Sequence, residues 1–345
     1  MGKSNFVMSV RNIENGKFGD EPGEATYLEV PDGQEPQPIA EQKLSKDEWI
    51  NKVIERAATG THPDDSKSAV AGYTTGDILF FVHGYNNSMK AVMHRHNLLQ
   101  KRLNKHHYRG VIVSFDWPSA EATLNYLEDR SDARATAHQL VKGGIRELAH
   151  KQLVQDEYNC DIDVHLLGHS TGAYVIREAF YEASHNRGVS RINWHVSQTA
   201  FIGGDIARKS LSRDDSKSRG LFEHVSRITN YQNPFDSALQ ISNIKRLNTA
   251  PRIGRVGVPE DAPGNIVNVN VGEHWETLDK KKSEAKGNWS HSWHFDDDLF
   301  AEDLALTLSG HVDRNMLHTR TMVDGQLILR KRAITKPAKK KTAKK

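Results

Sequence analysis

Cysteine is all but missing from this chain. Cys160 is the only one in 345 residues, which excludes an intrachain disulfide and reads as a protein of a reducing compartment. Long apolar runs are missing too, and none approaches the roughly 20 residues that span a bilayer. Met1 to Gly16 is mixed and polar, without the apolar centre of a secretory signal. A myristoylation signal would need Ser or Thr where Phe6 stands. These absences lead to the expectation of a soluble cytoplasmic protein with no transmembrane segment. Nothing in the sequence sets an oligomeric state.

One sign of charge is absent from the end of the chain. Residues 330–345 carry nine of the 47 Lys and Arg and no acid, so the formal charge of +3 for the whole becomes −6 for residues 1–329. The segment from Lys331 is low in apolar residues and self-repelling, and is expected to be disordered. It reads either as a solubilising tail or as an electrostatic arm for anionic lipid or nucleic acid. Zinc-finger spacing and a basic helix are both lacking, and the body is acidic, so nothing else points to nucleic acid.

What is present is regular alternation. At this length the chain can bury a sizeable core without staples. Asn5 to Val10 and Thr26 to Val30 alternate like short strands, with Gly16 to Gly23 as their turn. Ser45 and Glu48 form a capping box ahead of a helix over 46–58. From Ile78 the pattern becomes strand, helix, strand. "ILFFV" (78–82) is a short apolar run, and Met89, Val92, Met93, His96, Leu99 and Leu103 mark one helical face. Further strands are expected at 110–115, 162–167, 195–202 and 226–232, with a last one at 265–271. Further helices are expected at 131–155, 171–185 and 298–308. This order predicts an α/β fold with a mostly parallel central sheet covered by helices on both faces. The expected organisation is N-terminal strands and a helix over 1–70 packed on a main domain at 71–329, then the basic tail at 330–345.

Gly168-His169-Ser170-Thr171-Gly172 interrupts this pattern with no spacer between strand and helix. It fits G-x-S-x-G, in the strand-to-helix setting the motif requires. So sharp a turn strains its central residue and lifts Ser170 above the sheet edge, with free N–H groups of a helix N-terminus behind it. A serine hydroxyl needs a base, and the base an orienting acid, which follow the serine in that architecture as acid and then His. Two acids lie after strands at the correct ends. Asp236 is preferred, because Pro234 makes a rigid turn that would present its carboxylate. Asp205 is the alternative and looks placed to cap a segment starting at Ile206. For the base, His291 comes first and His294 second. A metal reading through His291, His294 and Asp296 lacks a further ligand pair. His94, His96, His106 and His107 read as lining a solvated helix and turn. The oxyanion hole is expected from the N–H groups of Tyr85 and Thr171, with Gly84 letting the backbone bend toward the nucleophile. Asn86 and Asn87 read as turn formers first and as auxiliary donors second.

Taken together, these residues resemble the α/β-hydrolase fold. More narrowly, the chain is similar to a bacterial family of hydrolase-like proteins of uncharacterised function. Its members read H-G-[FY]-N, S-W-P-S, G-H-S-x-G, Y-x-x-x-N-D-x-A-L and H-S-Y. The counterparts here are "HGYN" (83–86), "FDWPSA" (115–120), "GHSTG" (168–172), "YQNPFDSAL" (231–239) and "HSW" (291–293). By that resemblance the triad is Ser170, Asp236 and His291. Two departures stand out: Asn-Pro-Phe-Asp where the family has Asn directly before Asp, and Asp116 where it has a small residue.

The expected function is a serine hydrolase that cleaves an ester or thioester of a small-molecule or lipid-like acyl substrate through an acyl-enzyme, needing no cofactor and no metal. A serine peptidase or an acyltransferase would use the same triad, and a binding protein could keep the fold without the chemistry. Only residues 203–225 separate two of the strands, too few for a large cap domain. The loop from Asn243 to Asn265 is the expected cover of the pocket.

Overall fold

The computed structural model describes residues 4–59, 74–75, 77–85, 87–119, 126–148, 160–186, 194–244 and 250–330. The expected boundary near residue 70, Asn86, the end of the helix over 131–155 and the basic tail from Lys331 lie outside them.

Alternation in the strands decides the layering. In β5 (Ile78–Val82), Leu79 and Phe81 join one apolar cluster while Ile78, Phe80 and Val82 join another on the opposite side. A strand buried on both faces needs helices on both, and the chain supplies them. α1 (Lys46–Thr59) brings Trp49, Ile50 and Val53 to the first cluster, and α4 (Thr171–His185) brings Ile176 and Phe180. α2 (Met89–Lys105) brings Val92, Leu99 and Leu103 to the second, and α7 (Asp298–Ser309) brings Phe300 and Leu304. Between them in the chain, α3 (Tyr126–Gln139) runs on as a π-helical stretch over Leu140–Ile145. α5 (Ser237–Ile244) and α6 (Trp289–Ser292) are short and belong to the site.

The strands are β1 (Ser4–Glu14), β2 (Lys17–Pro31), β3 (Lys43–Leu44), β4 (Thr74–Thr75), β6 (Val111–Asp116), β7 (Cys160–Asp161), β8 (Val164–His169), β9 (Val196–Ile202), β10 (Val225–Gln232), β11 (Ile266–Asn270), β12 (Arg320–Val323) and β13 (Gln326–Leu329), together with β5. Among the described residues eleven of them form one open sheet in the order β12-β13-β11-β10-β9-β8-β5-β6-β1-β2-β3. The run from β13 to β1 is parallel throughout; antiparallel β12 closes one side, and β2 and β3, each antiparallel to its inner neighbour, close the other. β8, which ends at the serine turn, lies centrally between β5 and β9.

Three expectations need correction. The N-terminal turn is Asn15-Gly16, both at positive φ (51° and 75°), and residues 17–23 belong to β2. Asn-Gly at paired left-handed positions makes the two-residue hairpin whose twist matches the strands, which a Gly/Pro count across 16–23 overlooks. The strand at 266–270 is not the last, because Asp324-Gly325, at φ 47° and 76°, turns a second hairpin at the far edge. That hairpin is held by Arg320, whose guanidinium meets Asp303 of α7 at 2.6 Å with both side chains fully buried. His96 is buried at 1 % exposure rather than solvated, with its Nδ1 2.8 Å from Ser114 Oγ. The same helical spacing that marks the apolar face of α2 carries His96 inward.

Candidate active site

β8 passes into α4 at Ser170 without a spacer, and the backbone there is bent hard. Ser170 has φ 56° and ψ −124°, a conformation a non-glycine residue rarely holds. Its N–H donates to Ile202 O at 3.0 Å, and its own carbonyl accepts from Asp205 N at 2.9 Å, so the end of β9 clamps the turn from both sides. Close approach explains the glycines. A Cβ on Gly172 would lie 2.1 Å from the carbonyl oxygen of Val82, where β5 ends against α4. A Cβ on Gly84 would lie 2.6 Å from Ser170 Cβ, so the loop after β5 rests directly on the serine. Ser170 itself stays partly exposed.

The candidate base and acid arrive from far downstream. His291, in α6, places Nδ1 2.6 Å from Oδ2 of Asp236. Asp236 is fully buried and His291 is 8 % exposed. The other carboxylate oxygen, Oδ1, accepts from Leu239 N at 3.0 Å and caps α5. Asn233 fixes the turn between them: its Oδ1 accepts from Phe235 N, and its Nδ2 donates to Ser290 O at 2.9 Å. Acid loop and base helix are thereby stitched together. Gly203, next to the Ile202 that holds Ser170, would carry a Cβ 2.9 Å from His291 Nδ1. Serine turn, imidazole and carboxylate therefore share one corner at the C-terminal edge of the sheet, where open α/β sheets place their ligands.

The alternative candidates go elsewhere. Ala207, not Asp205, stands at the N-cap of the short 3-10 helix over Arg208–Leu211. The Asp205 carboxylate pairs with Arg252 Nε at 2.9 Å, both side chains nearly fully buried. His294 is enclosed by Trp293, stacked at 4.3 Å, and Phe300, and neither ring nitrogen has a hydrogen-bond partner. Burial, and then the neighbouring His291, push the His294 imidazole well below its ordinary pKa. Asp296 pairs with Arg102, so His291, His294 and Asp296 do not converge.

The loop after β5 is braced by Asn87, read from the sequence as a turn former, and by two arginines that sequence reasoning passed over. Asn87 Nδ2 donates to the carbonyls of Gly84 at 2.7 Å and Tyr85 at 3.0 Å, while Arg95 donates to Asn87 Oδ1. Arg11 of β1 reaches Asn87 O at 3.2 Å and pairs with Asp116 at 3.0 Å. Asp116 is thus no misfit in the family pattern, since it anchors a buried arginine from the N-terminal hairpin. Burial alone would raise its pKa, but Arg11 and then His83 outweigh burial and bring the carboxyl down to about 2. Trp117 stacks on His83 at 5.5 Å and is fully buried. It backs the loop. Thr171 opens α4, where N–H groups have no intrahelical acceptor.

His169 is the other residue missed. It packs between His291 at 4.7 Å and Phe295 at 5.0 Å, and its Nε2 lies 2.9 Å from the carbonyl of His291. A carbonyl only accepts, so Nε2 carries the proton. Burial, followed by the charges of His291 and Arg95, depresses its pKa well below the ordinary value and keeps the ring neutral. A neutral neighbour holds the His291 backbone without opposing a positive charge on its imidazole. The signal was in the sequence, as the second residue of the serine motif, but its partner was not.

A match to a family model agrees with this architecture. The family of alpha/beta hydrolases of unknown function (DUF900) matches residues 64–296, well over half of the chain, and the chain belongs to that family. Among solved structures it is similar to a lipase-esterase related protein from Clostridium acetobutylicum, with 10% identity over 68% of this chain and 94% of that one, at a TM-score of 0.33. It is also similar to a cutinase-like protein from Cryptococcus sp., with 13% identity over 69% and 95%, at a TM-score of 0.28. No curated protein matches it. Among the described residues no helix is long and apolar enough to cross a membrane.

Proposed function

We propose that this chain is a serine hydrolase that cleaves a carboxylic ester or thioester of a small-molecule or lipid-like acyl substrate through a covalent acyl-enzyme. The observation that carries this reading is the 2.6 Å contact between His291 Nδ1 and Asp236 Oδ2, set beside a strained Ser170. Asp236 accepts a hydrogen bond from Nδ1–H and so fixes the tautomer, leaving Nε2 as the basic nitrogen. Ser170 Oγ attacks the acyl carbon as its proton passes to Nε2. The N–H groups of Tyr85 and Thr171 receive the oxyanion. As the tetrahedral adduct collapses, the imidazolium returns the proton to the departing alkoxide or thiolate. Water then repeats the sequence on the acyl-serine, releasing the acid and restoring the hydroxyl. The segment from Arg252 to Gly254 covers the floor of this site, because Gly254 N–H donates to Gly204 O at 3.0 Å and its carbonyl accepts from Asn233 N at 2.8 Å.

A substrate panel tests the reading. Wild type and Ser170→Ala are assayed on short-chain p-nitrophenyl esters, an acyl thioester and a peptide p-nitroanilide. Ester or thioester turnover that falls to background in Ser170→Ala is expected. Turnover that survives the substitution would remove Ser170 as nucleophile, and preference for the anilide would move the chain to the peptidases.

A further inference from the structure

At the opposite edge of the sheet, where β5 and β8 begin, a second cluster of polar side chains has no place in the chemistry above. Strand parity puts it there. Residues 77, 79 and 81 share one face of β5, and residues 163, 165 and 167 share the matching face of β8, since Ile78 pairs with Val164 and Leu79 with His165. Where Leu79, Phe81 and Leu167 fill that face with an apolar core, Asp77, Asp163 and His165 begin it with two carboxylates and an imidazole. One ligand-capable atom from each of the three lies within 4.8 Å of the others.

Two buried groups at this cluster are unsatisfied, which ordinary ion pairing does not explain. His165 is fully buried, and neither of its ring nitrogens has a hydrogen-bond partner, although Nε2 is 3.3 Å from Asp77 Oδ2. The Tyr108 hydroxyl is also buried without a partner. It stands beside Asp77, since a Cβ on Gly110 would lie 2.2 Å from that hydroxyl and 2.6 Å from the Asp77 carbonyl oxygen. Each buried polar atom left unpaired costs about 1–3 kcal/mol. Two ligands held about 2.1 Å from one ion at a near-tetrahedral angle stand about 3.4 Å apart, close to the 3.3 Å between Nε2 and Oδ2 here.

We propose that Asp77, Asp163 and His165 form a binding site for a divalent transition-metal ion of the zinc type, with Tyr108 donating to a metal-bound water. One imidazole nitrogen and two carboxylate oxygens are a donor set zinc accepts, leaving an outward position for water on the side of the exposed Asp163. The seven residue steps from Asp163 to Ser170 put the ion about 23 Å from the serine at roughly 3.3 Å per step. It therefore acts as a clamp on the first turns of two central strands. The parallel pair Thr75 and Asp161 sits two residues ahead of its two carboxylates. The reading is independent of the hydrolase assignment.

The test is calorimetric titration of the full chain, stripped with EDTA and dialysed, with Zn²⁺ at pH 7.5. A single equivalent is expected to bind, with Co²⁺ giving the absorption of a low-symmetry nitrogen- and oxygen-ligated site. His165→Gln and Asp163→Asn are each expected to weaken binding by more than about tenfold. Asp163 is exposed, so its amide variant tests the site even where His165→Gln does not fold. Failure of the wild type to bind Zn²⁺, or equal affinity in wild type and Asp163→Asn, overturns the proposal.

Discussion

Asp236 divides one carboxylate between two tasks: Oδ2 meets His291 Nδ1 at 2.6 Å, and Oδ1 caps the helix that follows by accepting from Leu239 N at 3.0 Å. Helix capping is thereby recruited to hold a candidate catalytic acid in one rotamer. Capping and orienting were rival explanations for an aspartate after a strand, and here the same residue does both.

The contrast with Asp205 gives the first prediction. Asp236→Asn keeps an oxygen for the cap but presents the wrong partner to Nδ1, and kcat should fall by about 10⁴-fold with little loss of stability. Asp205→Asn leaves Arg252 buried without its counter-charge, and should cost about 3–5 kcal/mol of stability while the folded fraction keeps most of its kcat. Ester kinetics and urea unfolding on both variants check this. The reverse ranking in kcat would transfer the acid's role to Asp205.

Gly84 is expected to tolerate no side chain. Its Cβ would stand 2.6 Å from that of Ser170, so Gly84→Ala must push the loop and its N–H groups away from the nucleophile. A loss of about 10²- to 10³-fold in kcat is expected, the scale for one misplaced oxyanion donor. Steady-state kinetics on a short-chain ester decide it; unchanged kcat would remove this loop from the oxyanion hole.

Buried imidazoles set a pH dependence of stability. Burial brings His96 down from 6.5 to about 4, and His169 and His294 shift in the same direction. The unfolded chain then binds more protons than the folded one, so the stabilisation is complete above about pH 6.5 and is lost as pH falls toward 4. His96 alone should account for about 2 kcal/mol between pH 7 and pH 5. Urea midpoints at the two values check this, and His96→Gln should be less sensitive than wild type. Equal wild-type stability at pH 7 and pH 5 would contradict it.

Legibility in the sequence followed the range of the interactions. β5, the helix after Ser170 and the central strands were read correctly, because a five-residue apolar run or a glycine-flanked serine encodes its own geometry. The two edge hairpins were misplaced or missed, because each is set by one dipeptide at positive φ, Asn15-Gly16 and Asp324-Gly325, whose signal is diluted in the composition of a longer window. Asp236 was preferred to Asp205 on its Pro234 turn, but the partners that tell the two apart, His291 and Arg252, are brought in by the fold. The brace from Arg11 through Asn87 to Gly84 was invisible for the same reason: it joins β1 to the loop after β5 across β6. Asp116 looked like a defect in a motif and proved to be the counter-charge of that brace.

The account rests on Ser170 being an activated nucleophile, and a covalent adduct reports that directly. Intact-mass and peptide mass spectrometry after treatment with a fluorophosphonate should show one added phosphonyl group, located on the peptide containing Ser170 and missing from Ser170→Ala. An unmodified wild-type chain, or a label on any other residue, would contradict it.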